Sequence, residues 1–320
     1  MNNMHIPVLL DEAIKGLNIS EDGVYIDMTA GYFGHSGKIA EELSSNGTLL
    51  CLDKDEAAIS YMKKKMKEVQ NKRVGLNSFP KLIIKKTDFR ALKKIAKEAA
   101  IEKADGILFD LGVSSMQIDD ANRGFSYIND GKLDMRMDKE KDFSAYELIN
   151  EYDEESLINC FSEYGEESFS KTIAKNIIKK RSIKKIESTR ELFEIIEGAV
   201  PRKFKKKGFK NVKKIFQALR IEVNDELNAL KESLEAATSL LNKKGRLVVI
   251  SFHSLEDKIV KNFFVEKENP CTCPKDIPYC ICGAKPVLKR VNRKPIMAVG
   301  NEIRKNSRAK SAKLRIAEKR

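Results

Sequence analysis

Short apolar runs that end in a carboxylate recur along the first third of the chain. Three of these runs end at Asp27, Asp53 and Asp110, and a further apolar run at residues 82–84 lies between the last two. The segments between them place apolar residues at helical spacing, as Ala58, Met62 and Met66 show on one segment. Strands that alternate with helices form parallel sheets. The sequence therefore predicts an α/β fold with a mostly parallel, Rossmann-like sheet.

This alternation stops near residue 115. From 116 to 214 the chain is polar and helical and has no apolar strand pattern. The strand pattern returns at 245–251, and an alternating run at 312–317 suits a last strand. We expect helices in the remaining periodic segments, at 35–43, 55–67, 91–100, 144–164, 169–181, 189–198 and 215–242.

Three stretches follow from this pattern. Residues 1–115 form the first part of the sheet domain, and 116–214 form an inserted helical domain that recognises the substrate. Residues 215–320 complete the sheet domain and carry a cysteine cluster and a basic C-terminus.

The turn after the first run favours a nucleotide-type ligand. Gly31 and Gly34 let the backbone approach a ligand closely, and a helix beginning after Gly34 offers free N–H groups. Asp53 lies 22 residues beyond Gly31, where a carboxylate suits a ribose diol. The dinucleotide fingerprint G-x-G-x-x-G is absent, which disfavours a nicotinamide dehydrogenase.

Composition and charge narrow the class of partner. The 320 residues are 42% hydrophobic and 33% charged, and no apolar run reaches the length of a membrane span. We therefore expect a cytoplasmic protein without a membrane partner. The formal charge of +13 is concentrated in 202–214 and 304–320, which favours nucleic acid over a lysine-rich but merely solvated surface.

Histidines and cysteines supply the other candidate chemistry. His35 and His253 lie in turns after predicted strands, where each could act as a base or only as a hydrogen-bonded structural residue. The third histidine is His5. Four cysteines form two C-x-C pairs that suggest a structural zinc ion, but the usual spacing is C-x-x-C, so a cluster without metal stays open. These cysteines are Cys271, Cys273, Cys280 and Cys282.

Eight stretches stand out in order along the chain, at residues 8–12, 34–36, 105–115, 123–126, 133–138, 216–221, 251–257 and 306–315. In this order they resemble the MraW/RsmH family of S-adenosylmethionine-dependent methyltransferases. The resemblance runs from His5 to the C-terminus.

The resemblance implies a function and a set of site residues. It implies transfer of a methyl group from S-adenosylmethionine to the exocyclic N4 of a cytidine in small-subunit rRNA, near the decoding centre. The partner would be this rRNA or the small ribosomal subunit, and a homodimer is one of the assemblies left open. The implied fold is a class I methyltransferase sheet with an inserted helical domain. The implied cofactor-binding residues are Phe33, Gly34, His35, Asp53, Phe89, Asp110 and Gln117.

One position departs from the family pattern, which has a glycine pair before the His-Ser. Here the first of the pair is Phe33, and a positive φ at this position would strain a phenylalanine. An alternative follows: a non-catalytic or altered-specificity RNA-binding assembly factor that retains the fold.

The chemistry needs a group that accepts an N–H from the cytosine amine, since its lone pair is delocalised into the ring. Asp110, at the end of the fourth strand, is the first candidate, and His253 is the second. A purely cofactor-binding role for Asp110 stays open. A DNA amino-methyltransferase is disfavoured because no D-P-P-Y-type run follows this strand.

Overall fold

The computed structural model describes residues 7–72, 79–205, 209–274, 279 and 281–320. Two of the residues named above, His5 and Cys280, lie outside these ranges. The chain divides into two compact units. Met1–Gly112 and Ala229–Arg320 form the sheet unit, and Val113–Asn228 form the helical unit.

The sheet unit contains, in the described part of the chain, one seven-stranded sheet of order β3-β2-β1-β4-β5-β7-β6. The strands from β3 to β5 pair in parallel, and β7 runs antiparallel to both β5 and β6. The predicted mostly parallel α/β fold is confirmed. The strands are β1 Val24–Asp27, β2 Thr48–Asp53, β3 Lys81–Lys86, β4 Ala104–Asp110, β5 Leu241–Ser251, β6 Leu288–Arg290 and β7 Lys313–Lys319.

The helices of the chain divide between the units. Those of the sheet unit are α1 Leu10–Leu17, α2 Gly34–Glu42, α3 Glu56–Lys72, α4 Leu92–Glu98, α12 Ser254–Glu268 and α13 Gly300–Lys305. The helix α11 Glu226–Leu240 spans the second boundary between the units. Those of the helical unit are α5 Ser115–Asp119, α6 Ala145–Glu151, α7 Glu154–Glu163, α8 Ser170–Arg181, α9 Thr189–Ala199 and α10 Lys210–Asn224.

The central strands are apolar on both faces, as buried parallel strands are. Successive residues alternate between two separate cores. Leu50 and Phe109 pack into one core, while Leu49, Cys51 and Leu108 pack into the other. Burial on both sides fixes the register, so the aspartates that end these strands meet at one edge of the sheet.

The antiparallel strand β7 changes the interpretation of the C-terminal basic cluster. Arg315 is buried, and its Nε lies 2.6 Å from Oδ1 of Asp257. Lys313 Nζ lies 3.1 Å from the other oxygen of this carboxylate, and Lys319 donates to the carbonyl of Thr238. Contacts within the fold therefore occupy these three side chains, which belong to the basic segment 304–320 whose charge favours a nucleic-acid partner.

Two long predicted helices are each divided. The segment 144–164 breaks between α6 and α7 because Asp153 caps a new helix by accepting from the backbone N–H of Ser156. The segment 215–242 breaks at Asp225, which has a left-handed φ of 48°. The predicted insert ends at 214, whereas the helical unit continues to Asn228. The reason is that α10 supplies core residues, Ile215 among them, to this unit.

A polar network orders the loop 133–138 inside the helical unit. The guanidinium of Arg136 donates to both oxygens of Asp134, at 2.8 Å each. The amide of Asn224 donates to the carbonyl of Met135 and accepts from the N–H of Met137, again at 2.8 Å each. Two buried backbone groups of this loop, the carbonyl of Met135 and the N–H of Met137, thus have the side chain of Asn224 as their partner.

None of the helices in the described part of the chain has the length and apolar character that a membrane crossing demands.

Candidate active site

The turn between β1 and α2 is built from backbone in the left-handed region. Gly31 has a φ of 51°, and Phe33 has a φ of 68°. A left-handed conformation costs a residue with a side chain about 1–2 kcal/mol. The ring of Phe33 is buried in the apolar core beneath the turn, and this burial offsets the strain. A Cβ on Gly34 would lie 2.5 Å from the ring of Pro7, so the turn leaves no space for a larger residue there.

Asp53 joins the end of β2 to this turn. Its Oδ2 accepts from the N–H of Gly31, and its Oδ1 accepts from the N–H of Asp55, both at 2.8 Å. Burial raises the pKa of Asp53 above its usual value. An ionised carboxylate has about four acceptor positions. The two hydrogen bonds from the backbone therefore leave Asp53 with acceptor positions for the two hydroxyl groups of a diol.

Asp27 is a functional candidate to which the sequence reasoning gave no role. Its side chain is only 1% exposed. It accepts from the N–H of Thr29 at 3.1 Å and from the hydroxyl of Ser36 at 2.6 Å. Burial raises its pKa to about 6. The sequence did contain a signal for such a role, because Asp27 ends β1 just as Asp53 ends β2 and Asp110 ends β4.

His35 connects the turn to β4. Its Nε2 donates to the carbonyl of Val8 at 3.0 Å, so its Nδ1 faces Oδ2 of Asp110 at 3.4 Å. Burial alone would lower the pKa of His35, but attraction to Asp110 and Asp27 and the bond to Val8 raise it overall. A protonated imidazole satisfies both contacts, because a carbonyl and a carboxylate can only accept.

Asp110 presents an unused acceptor at the edge of the sheet. Its backbone N–H donates to the hydroxyl of Thr29 at 2.6 Å, which holds it in place. Its Oδ1 is buried and, among the described residues, has no hydrogen-bond partner. A buried oxygen without a hydrogen-bond partner lowers the stability of the fold, and a hydrogen-bond donor from a ligand would remove this cost.

The side chain of His253 acts mainly as a helix cap. Its Nδ1 accepts from the N–H of Glu256, whose carboxylate in turn accepts from the N–H of His253. The Nε2 of His253 lies 3.1 Å from Oε1 of Glu256 without the alignment of a hydrogen bond. Helix α12 thus begins at Ser254 with His253 as its N-cap, and Asp257 pairs with Arg315.

Phe89 and Gln117 occupy different units. Phe89 is half-buried in the turn after β3, and its ring meets that of Phe109 edge to face with centroids 6.0 Å apart. Gln117 is buried in the helical unit and forms a capping box with Ser114, whose N–H it accepts at 2.9 Å.

The predicted metal ligands lie apart from these residues in sequence. Cys271, Cys273 and Cys282 come together in the loop between α12 and β6.

The groups at the sheet edge fit S-adenosylmethionine. The turn offers close backbone approach and the first N–H groups of α2, and Asp53 has acceptor capacity for a ribose. Phe33, Gly34, His35 and Asp53 are brought together directly, and Asp110 joins them through His35.

Comparison with known proteins gives consistent results. The model of the MraW methylase family matches residues 2–320. A ribosomal RNA small subunit methyltransferase H from Clostridium botulinum (strain Loch Maree / Type A3) is 48% identical over 319 residues, covering 100% of each chain. A protein of the same name from Caldicellulosiruptor saccharolyticus is 49% identical over 315 residues, covering 98% of this chain and 99% of its own.

Among solved structures, an rRNA methylase from Streptococcus thermophilus aligns over 97% of this chain and 93% of its own, with 9% identity and a TM-score of 0.42. The full-length family match and the identity of the relatives confirm the resemblance seen in the sequence motifs. The chain belongs to the MraW methylase family and is an S-adenosylmethionine-dependent methyltransferase.

Proposed function

We propose that this enzyme methylates the exocyclic N4 of a cytidine in small-subunit rRNA near the decoding centre. The observation that carries the substrate class is the 48% identity over full length to proteins named for small-subunit rRNA methylation. The unused, buried oxygen of Asp110 supports an amine as the acceptor, because an amine brings N–H donors.

When bound, the cofactor supplies an electrophilic methyl group on a sulfonium, and the neutral thioether that remains after transfer is a good leaving group. The protein must therefore position the base and strengthen its amine as a nucleophile. Oδ1 of Asp110 would accept one N–H of the amine, which concentrates electron density on nitrogen and fixes its orientation. His35 holds Oδ2 of the same carboxylate and Thr29 holds its backbone. Asp110 thus has one oxygen held by the protein and one for the substrate.

Asp53 would bind the ribose of the cofactor, and the turn 31–35 would enclose its methionine end. Phe89 would lie against the adenine, and Gln117 would complete the pocket. The hydrogen bond from the N–H of Gly31 to Asp53 supports a joint role of the end of β2 and the turn 31–35 in binding the cofactor.

The basic segment 202–214 of the helical unit would contact RNA. Lys203, Lys205 and Lys210 are exposed there, and so are the rings of Phe204 and Phe209, each at 47%. Lysines bind phosphates, and exposed rings stack on unpaired bases. The target base must leave its stack to reach Asp110. Binding should therefore weaken as salt rises.

The small ribosomal subunit is the proposed partner and the cytoplasm the proposed location, because ribosomes of the bacterial relatives assemble there. Homodimer formation stays a hypothesis, and sedimentation of the purified chain would test it.

The test is to incubate the purified enzyme with labelled cofactor and small subunits that lack the methyl group. We expect the label in N4-methylcytidine after digestion to nucleosides. An Asp53→Ala variant should incorporate far less, because it lacks the proposed ribose ligand. Label in another nucleoside, or in none, would contradict the proposal.

A second candidate is an altered specificity or weakened cofactor binding, and the left-handed Phe33 favours it. Calorimetric titration with S-adenosylmethionine separates the two. Saturable binding that is lost in Asp53→Ala supports the first candidate. Binding by a folded protein that saturates only near millimolar cofactor supports the second.

A further inference from the structure

Three cysteine side chains form a cluster in the loop between α12 and β6. The Sγ atoms of Cys271, Cys273 and Cys282 lie within 4.8 Å of one another. Two of these residues are exposed, and Cys273 is half-buried. We propose that these three cysteines bind one divalent, sulfur-preferring metal ion such as zinc.

The distances suit a shared ion. The Sγ atoms of Cys271 and Cys282 lie 3.8 Å apart. Zinc binds cysteine sulfur at about 2.3 Å with tetrahedral geometry, which places two such ligands about 3.8 Å from each other. A disulfide would require about 2.05 Å. The separation therefore matches two ligands on one ion and is too long for a covalent bond.

The backbone supports the same assignment. The N–H of Ile281 points at Sγ of Cys273 at 3.4 Å. Hydrogen bonds to a ligand sulfur orient it and stabilise its negative charge, as is usual around metal sites. A neutral thiol is only a weak acceptor. The contact is thus more favourable for a thiolate held by a cation.

Two large side chains in the described part of the loop are exposed to solvent. Tyr279 is 80% exposed and Ile281 is 82% exposed, so these large side chains contribute little to a core. A metal ion would cross-link the two ends of the loop. Each thiol that binds loses its proton to solvent, and three cysteines leave one of the four zinc positions for another donor.

The test uses the reduced, metal-free full-length chain titrated with Co²⁺. We expect one equivalent to bind, with thiolate-to-cobalt charge-transfer absorption and the strong d–d bands of a tetrahedral site, and Zn²⁺ should displace it. Cys271→Ser and Cys282→Ser should each weaken binding at least about tenfold. Cys160→Ala is the matched control, because Cys160 is buried in the helical unit and should not affect binding.

Hydrogen exchange supplies a second readout. Zinc should slow hydrogen exchange of the backbone amides of residues 281–287 in the wild-type chain but not in Cys271→Ser. Far-ultraviolet circular dichroism checks that this variant is folded. Absence of thiolate charge transfer in the wild type, or wild-type affinity in Cys271→Ser, would overturn the proposal.

Discussion

Aspartates in the two units have opposite surroundings. In the sheet unit, Asp27 accepts from two uncharged donors and is influenced electrostatically by His35, and Asp110 keeps one oxygen without a partner among the described residues. In the helical unit, both oxygens of Asp134 accept from the guanidinium of Arg136. The motifs that contain Asp110 and Asp134 both resemble the family, yet Asp110 is the proposed acceptor of the substrate amine and Asp134 shapes a loop.

The pKa directions express this difference. Burial raises the pKa of Asp27 to about 6. Burial alone would also raise that of Asp134, but the hydrogen bonds and charge of Arg136 lower it overall. A carboxylate that has a fixed cationic partner stabilises the fold. A carboxylate that is buried without a guanidinium partner, as Asp27 is, carries a desolvation cost in the folded protein.

The largest change in stability should come from Asn224→Ala in the helical unit. It removes the partners of the Met135 carbonyl and the Met137 N–H, which are buried, and each loss costs about 1–3 kcal/mol. We expect the free energy of unfolding to fall by about 4 kcal/mol in urea denaturation. Asn176→Ala, at an exposed position, should change it by less than about 0.5 kcal/mol. Normal stability with lost activity would instead make this loop functional.

The next effect is a pH dependence of opposite sign in the two units. The folded pKa of Asp27, about 6, lies above its unfolded value of 3.8, so the folded state binds more protons and stability falls as pH rises through this window. Asp27→Asn should therefore gain about 3 kcal/mol relative to wild type between pH 4 and 6. Denaturation at several pH values measures this.

Asp134→Asn is the control for that series. The folded pKa of Asp134 lies below its unfolded value, so its contribution is present above pH 3.8 and is lost as pH falls through the folded pKa. The variant should be less stable than wild type at pH 7 and approach it in acid. If Asp134→Asn instead became more stable than wild type as pH rises, as expected for Asp27→Asn, the proposed difference between the two aspartates would be contradicted.

The smallest effect should come from Gln117→Ala. Loss of the capping box on α5 should lower stability by about 1 kcal/mol, while Gln117→Glu retains the box. Thermal unfolding measures this difference. Cofactor affinity that falls equally in both variants would support a place for Gln117 in the pocket.

The sheet was predictable from the sequence because strands that alternate with helices form parallel sheets, whose carboxyl ends meet at one edge. Asp27, Asp53 and Asp110 lie at that edge because each ends a strand. The helix breaks at Asp153 and Asp225 were not predictable from the periodicity. A helix cap or a single left-handed residue leaves the helical spacing of apolar residues intact. The roles of Arg315 and His253 depend on partners that only the tertiary structure supplies.

The measurement closest to the central claim compares Asp110→Asn with wild type in two assays: single-turnover methyl transfer to small subunits and calorimetric binding of S-adenosylmethionine. If Oδ1 of Asp110 accepts the N–H of the amine, the rate should fall by about 100- to 1,000-fold while the Kd for the cofactor changes only a few-fold. A Kd that rises as much as the rate falls would contradict the account and leave Asp110 as a cofactor ligand alone.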